Sequence, residues 1–272
     1  MKVAFKIPPN LDTITPLYLV IEVSEYEISF VVLSKITNSI LGFYLYILEK
    51  NNELDFYSVE LKNIVQLENT LQQKFETVHI NYNFKESTLI PLLYFKESEK
   101  ENICNVMFGN NIDTVCFSEN IVNREIKNVY RVPKNIYSCL KELYPKNKFW
   151  HTTTLQLQKQ NTLECIVFSK TIKIILIKEN IVQIVQYCNY ETPSDVCYYL
   201  LNVCERFGVS TTLAALNLSG TVEEKSNLYK EIYKYFLNIS FTTLPVDFNV
   251  SDNLKEIPQH FFCNTINNFT CV

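Results

Sequence analysis

The chain has 272 residues, 47% of them apolar and 20% charged, with a formal net charge of −4. That is enough apolar material for one large domain or two smaller lobes, and the net charge makes no global electrostatic case for nucleic acid or anionic membrane as a partner. No run approaches the roughly 18 apolar residues of a membrane span, and Pro8-Pro9 stands where a secretory leader needs its apolar core, so a soluble, cytoplasmic protein is expected.

Lys2–Ile7 reads as a short edge strand. Tyr18–Val23 and Glu27–Leu33 follow as strands around a turn at Ser24-Glu25, with Ile28, Phe30 and Val32 sharing a face at period two. After a turn through Lys35–Ser39, Leu41–Leu48 is almost wholly apolar, as a strand covered on both faces should be. Asn51–Asp55 is expected as a loop. Ser58 is expected to cap a helix carrying Leu61, Ile64, Val65, Leu71 and Phe75 on its inner face. Val78–Tyr82 returns as a strand, and Thr88–Phe95, interrupted by Pro91, belongs at an edge or in a connector. Glu97–Phe108 is predicted helical, Thr114–Phe117 and Asn128–Val132 extended, and Pro133 opens a helix over Asn135–Leu143. Pro145–Lys148 is the expected seam, dividing the chain into 1–147 and 148–272. Phe149-Trp150-His151-Thr152 is then expected to lead into the second half.

Leu163–Phe168 and Thr171–Ile177 are the next strands, the latter with Ile172, Ile174 and Leu176 on one face. Lys178-Glu179-Asn180 is a tight polar turn, since asparagine takes up left-handed backbone at low cost. A third strand, from Ile181 to Tyr187, follows. Thr192-Pro193-Ser194-Asp195 has the marks of a helix start: an N-cap, a proline at the first position and an acid near the positive end of the dipole. Val196, Leu200, Val203 and Phe207 recur at helical spacing until Gly208 stops the helix. Thr212–Leu218 reads as a buried strand, Ser219-Gly220-Thr221 as a turn and Glu223–Phe236 as a second helix. Ile239–Thr243 is a further strand, and Pro258–Asn267 a closing helix.

Thr162–Phe236 thus repeats, in altered form, what Leu17–Phe95 has already done: three short apolar strands, an amphipathic helix, another strand. The expected class is α/β with mixed sheets. Two such copies resemble the actin-like ATPase fold, shared by actin, sugar kinases and heat-shock ATPases, and the resemblance implies two RNase-H-like lobes. More narrowly, Ser87–Phe95, Val129–Pro133, Phe149–Thr152, Leu218–Gly220 and Ile257–Phe262, with the tail ending in Cys271, resemble a bacterial family assigned to that fold, domain of unknown function 3822. That resemblance implies a fold without an activity.

In active members of the wider fold, the turn between the first two strands of each lobe presents an Asp and a Gly to phosphate and metal. Here the first such turn, Glu22-Val23-Ser24-Glu25-Tyr26, has acids but no glycine, and its counterpart Phe168-Ser169-Lys170-Thr171 has neither. The adenosine turn of active members usually carries paired glycines, and Leu218-Ser219-Gly220-Thr221 keeps one. It reads as a strand-to-helix turn needing a flexible residue, with an anion site at the helix start as the functional alternative. A nuclease of this fold would need carboxylates converging from several strands on two metals. Glu22 has no such partners in sequence and reads as an exposed acid at a strand end. The candidates for a residual nucleotide site are Glu22, Ser24, Ser219, Gly220 and Thr221. No catalytic residue and no metal ligand is identified.

Nine cysteines, none in a CxxC pair, sit mostly in apolar settings, Cys165, Cys188, Cys197 and Cys204 among them. They read as small buried hydrophobes in a reducing compartment. His79, His151 and His260 lack metal-ligand spacing, and His151, after the chain's only tryptophan, is expected to cap or hydrogen-bond locally. Lys127, Arg131, Lys134, Lys141, Lys146 and Lys148 form a basic span that could face an acidic partner or RNA. The plainer reading is a solvated helix face, with Tyr130, Tyr137 and Tyr144 as a packed helical stripe.

The sequence therefore points to a non-catalytic, cytoplasmic interaction or scaffold protein whose partner is another protein. It needs no cofactor, and nucleic acid is an unfavoured partner. The alternative is a divergent ATP- and magnesium-binding protein using the candidate residues above.

Overall fold

Period-two apolar patterns and well-placed turns build this chain into two pseudo-repeated sheets. The computed structural model describes residues 1–10, 16–49 and 55–270. One compact unit comprises Met1–Gln158, Asp247–Lys255 and the chain end from Asn268; the other comprises Lys159–Val246 and Glu256–Asn267.

The first unit contains β1 (Lys2–Ile7), β2 (Leu17–Ser24), β3 (Glu27–Ser34), β4 (Ser39–Ile47), α1 (Phe56–Leu67), β5 (Thr77–Asn83), β6 (Ser87–Pro91), α2 (Lys100–Phe108), β7 (Thr114–Asn120), β8 (Ile126–Pro133), α3 (Lys134–Leu143), β9 (Lys148–His151) and α4 (Thr152–Gln156). Its main sheet runs β1-β4-β3-β2-β5-β9, and β6-β8-β7 form a separate small sheet. As expected, β1 lies at an edge, as does the Pro91-ended β6. Leu19, Ile21 and Val23 of β2, Ile28, Phe30 and Val32 of β3, and Val78, Ile80 and Tyr82 of β5 share one core with Leu61 and Ile64 of α1 and Ile136 and Leu140 of α3. Each such fully buried aliphatic side chain contributes about 1.5–3 kcal/mol.

Three local expectations are corrected here. Asp55, not Ser58, stands at the N-cap of α1; the Ser58 hydroxyl lies in the first turn and donates to Asp55 O at 2.9 Å. Residues 51–54 of the expected loop lie outside the described residues. The helix stops at Leu67, because Glu68 turns extended with its carboxylate held by the Tyr46 hydroxyl and by Lys6, each at 2.8 Å. Leu71 therefore rides on a following 3-10 turn and Phe75 beyond it, though both still pack on the core. The third difference concerns the seam expected at Pro145–Lys148 and the division into 1–147 and 148–272. Lys148–His151 hydrogen-bonds β5 in parallel, His79 opposite Lys148 and Tyr82 opposite His151, so that stretch belongs to the first sheet.

The second unit contains β10 (Thr162–Val167), β11 (Thr171–Lys178), β12 (Ile181–Asn189), α5 (Pro193–Arg206), β13 (Ala215–Gly220), α6 (Asn227–Tyr233) and β14 (Asn238–Phe241), with its sheet in the order β12-β11-β10-β13-β14. Glu179 and Asn180 both have positive φ, +54° and +59°, the backbone of a tight hairpin turn matched to strand twist. At α5 the Thr192 hydroxyl accepts from Asp195 N while the Asp195 carboxylate accepts from Thr192 N at 2.8 Å, a reciprocal capping box. Val196, Leu200 and Val203 face the core, and Gly208 ends the run at φ +60°. The strand expected from Thr212 begins only at Ala215, and the expected helix Glu223–Phe236 shortens to Asn227–Tyr233 with Ser226 as its cap. After this unit, β15 (Asn249–Val250) pairs with β4, and α7 (Cys263–Thr270) closes the described chain.

The repeat read from sequence is thus topological. β4-β3-β2-β5-β9 and β12-β11-β10-β13-β14 have the same strand order, with two antiparallel pairings followed by two parallel ones. One difference stands out: β4 has β1 along its outer edge, and β12 has no such neighbour among the described residues.

Candidate functional site

In each sheet the hairpin joining the first two strands is where this topology could meet a phosphate. In the first unit, Ser24 spends its hydroxyl on closing that hairpin: Oγ accepts from Glu27 N and donates to Glu27 O, both at 3.1 Å. Glu22 is buried, not exposed as the sequence reading held. It accepts from Asn83 Nδ2 at 3.0 Å, because the parallel β2–β5 register brings the carboxyl ends of the two strands together. Asn83 Oδ1 in turn accepts from Thr152 Oγ1 at 2.9 Å.

That bond opens into a polar network the sequence did not disclose. His151 caps α4, as its position after Trp150 led one to expect. Its Nδ1 accepts from Thr153 N at 3.2 Å, so the proton sits on Nε2 and donates to Phe84 O at 2.9 Å. Thr154 Oγ1 accepts from Asn128, whose own oxygen accepts from Ser87 at 2.7 Å. The Glu119 carboxylate accepts from the Tyr130 hydroxyl and from His151 N, and burial raises its pKa above the ordinary carboxylate value. Asn81, beside Glu22 in the register, is buried with its Nδ2 lacking a hydrogen-bond partner. A run of three threonines after a histidine was the one sequence hint of this cluster.

In the second unit the matching hairpin is closed by Phe168 N donating to Thr171 O at 2.9 Å, which leaves Lys170 exposed at its tip. Ser219 and Gly220 end β13, and Thr221 follows. A Cβ on Gly220 would stand 2.0 Å from Val167 O, and its φ is +81°. The glycine is therefore demanded by the neighbouring strand, which also takes Thr221 N onto Val167 O at 2.9 Å. The closing segment then covers the turn: Asn264 Nδ2 donates to Ser219 Oγ at 2.5 Å. His260 Nε2 lies 2.6 Å from Val222 O, its ring stacked on Phe241 with centroids 4.1 Å apart. Burial holds the His260 imidazole below its ordinary pKa. On the face of this sheet turned away from its apolar core, which Ser219 shares, two buried charges were missed: Glu164, paired with Lys159 at 2.8 Å, and Lys173, with its ammonium 4.9 Å from the Tyr187 ring.

The structure brings Glu22 and Ser24 together on β2, and Ser219, Gly220 and Thr221 at the end of β13. Taken singly, neither hairpin presents the glycine and free carboxylate that a phosphate–magnesium group needs. Among the described residues no group of three or more His, Cys, Asp or Glu is placed to hold a metal. The eight cysteines among the described residues are free thiols, seven of them buried.

The basic span does not form one surface. Arg131 is buried and forks onto Glu86, with Nη2 at 3.1 Å from Oε1, while donating to Phe108 O and Gly109 O. Lys127 pairs with Glu97 at 3.5 Å; Lys134, Lys141, Lys146 and Lys148 are exposed. Tyr130 lies on β8, so only Tyr137 belongs to α3, with Tyr144 at its end; all three pack on the first core. Beside Arg131 opens a cleft of about 320 Å³, lined by Glu25, Tyr57, Phe84, Lys85, Glu86 and Pro133 among others. Two of its lining residues, Lys85 and Glu25, pair at 3.3 Å.

A family model described as protein of unknown function (DUF3822) matches residues 8–239. No curated protein matches the chain. Among solved structures it is similar to a Bacteroides thetaiotaomicron protein with an actin-like ATPase fold and unknown function, at TM-score 0.68 and 22% identity over 84% of this chain and 91% of that one. It is also similar to the PilM–PilN type IV pilus biogenesis complex, at 0.57 and 10% over 94% and 98%. A third likeness is to ethanolamine utilization protein EutJ from Carboxydothermus hydrogenoformans, at 0.50 and 8% over 97% and 92%. At these identities the likeness establishes an actin-like ATPase fold. No helix among the described residues is long and apolar enough to cross a membrane.

Proposed function

The chain belongs to the DUF3822 family of proteins of unknown function, and on that premise we propose that it is a non-catalytic interaction protein with an actin-like fold. The observation that carries this reading is that the chain itself occupies its candidate ligand groups. Ser24 is spent on its own hairpin, Glu22 on Asn83, and Ser219 on Asn264. The one retained glycine, Gly220, answers to the Val167 carbonyl rather than to space for a phosphate.

A protein partner suits the first unit. Its cleft offers Tyr57, Phe84 and Pro133 between two ion pairs, the mix of aromatic anchor and charge found at protein interfaces. Val106 and Met107, in the last turn of the helix whose end Arg131 caps, and Ile112 are exposed large hydrophobics. One structural neighbour, PilM–PilN, is itself a complex. The free, buried thiols support a reducing compartment, and the reading places the protein in the cytoplasm.

Thermal unfolding with and without millimolar ATP and magnesium tests the proposal. A ligand of the folded state at about 100 times its dissociation constant adds roughly 2.7 kcal/mol, a visible rise in the midpoint. No rise is expected. A clear rise overturns the reading in favour of a divergent nucleotide-binding protein, and Glu22, Ser24, Ser219 and Thr221 become the residues to substitute.

A further inference from the structure

We infer that the outer edge of β12 is a self-association surface, on which a second copy of this chain adds its own β12 in antiparallel pairing. This goes beyond the proposed function and stands whether or not a nucleotide binds.

The internal repeat supplies the first argument. β4 and β12 are equivalent strands in two sheets of identical order, and each pairs inward with an antiparallel neighbour. The outer edge of β4 carries β1, antiparallel, from Lys2 opposite Ile47 to Ile7 opposite Phe43. The outer edge of β12 carries no strand among the described residues. The architecture thus already accommodates an antiparallel strand at this position in one unit, and the other unit leaves the place open.

The second argument is the chemistry of the edge. Folded proteins guard exposed strand edges with charges, prolines, bulges or short length. The other edges of this molecule show those devices. β1 has Lys2 and Lys6 and runs into Pro8-Pro9; β6 ends at Pro91; β7 carries Glu119; β9 and β14 are four residues each. β12 has nine residues, Ile-Val-Gln-Ile-Val-Gln-Tyr-Cys-Asn, with no charge and no proline, and Ile181 is 62% exposed. It carries one such device near its start: the pairing steps from Val182 opposite Ile177 to Ile184 opposite Leu176, which makes Gln183 a bulged extra residue and leaves the stretch from Ile184 onward in regular register, without bulge, charge or proline.

The third argument selects the occupant. Across a two-fold axis each residue meets one from the same strand, so a strand with any charge near its centre would oppose like charges. A charge-free strand escapes that penalty, and the Ile, Val and Gln residues along it pair acceptably with themselves in reverse. The two sheets would then join into one continuous ten-stranded sheet, twice the five strands of this unit.

The test uses the full chain in sedimentation-velocity ultracentrifugation across the micromolar range. The wild type is expected to show a reversible monomer–dimer equilibrium. Two double variants, Gln183→Lys with Gln186→Lys and Gln183→Glu with Gln186→Glu, place charges at half-buried polar positions, one in the bulge and one in the regularly paired stretch. Each is expected to weaken association about tenfold or more, with an unchanged melting temperature showing that the fold survives. A one-to-one mixture of the two is expected to dimerise again, as opposite charges meet. A wild type that stays monomeric throughout overturns the inference, as do dimers that neither double variant weakens.

Discussion

The amide of Asn264 donates to the hydroxyl of Ser219 at 2.5 Å, so the end of β13 is bonded to the chain's own closing helix. Both side chains are buried, and Asn264 Oδ1 has no hydrogen-bond partner. Replacing either residue by alanine should destabilise, and the double-mutant cycle should return a coupling of about 1 kcal/mol. Urea unfolding measures it. A coupling near zero would mean that Ser219 is not held in this way, and would free its hydroxyl for another role.

Two glycines with positive φ separate backbone need from steric need. At Gly208 an added Cβ meets nothing within 4 Å, so Gly208→Ala should cost only the left-handed penalty of about 1–2 kcal/mol. At Gly220 the same penalty is joined by the collision with Val167 O at 2.0 Å, and Gly220→Ala should cost about 3 kcal/mol or more. Comparable losses at the two sites would refute the account of Gly220.

His79 gives the acid limb of the stability curve. Its ring stacks on Trp150 at 5.3 Å and meets Phe269 edge-on at 4.7 Å, with Nδ1 lacking a hydrogen-bond partner. Burial, with Lys148 and Lys35 adding to it, pushes the imidazole from 6.5 down to about 4. Between those values the unfolded chain takes up a proton that the folded protein refuses. Stability is therefore retained above the unfolded value and falls as pH drops through this window, by about 2–3 kcal/mol at its foot. His79→Phe should flatten that limb in denaturation series run from pH 7 to pH 4. An unchanged slope would assign the acid sensitivity elsewhere.

Arg131 is a structural arginine. Removing it strands the half-buried Glu86 and exposes the uncapped carbonyls of Phe108 and Gly109. Arg131→Ala should cost about 3 kcal/mol, and Arg131→Lys an intermediate amount, because an ammonium cannot reproduce the fork. Equal stability for all three would return Arg131 to the surface span in which the sequence reading placed it.

What could be read from sequence is what depends on near neighbours in the chain. Period two in Ile172, Ile174 and Leu176, the Thr192–Asp195 capping box, the left-handed turn at Asn180 and the stop at Gly208 are all decided within a few residues. So is the repeated order of elements, and with it the actin-like fold. What the tertiary structure decided is pairing over long separations. The parallel register of β2 and β5 buries Glu22 against Asn83, 61 positions away, and β8 carries Arg131 to Glu86, 45 away. Whether Lys148–His151 joined the first sheet or the second depended on which strand edge it met, and no period within the segment itself carries that information. A buried charge is tolerated only where a partner satisfies it, and for Glu22 and Arg131 that partner is distant in the chain, so their burial is a property of the fold and not of the local sequence.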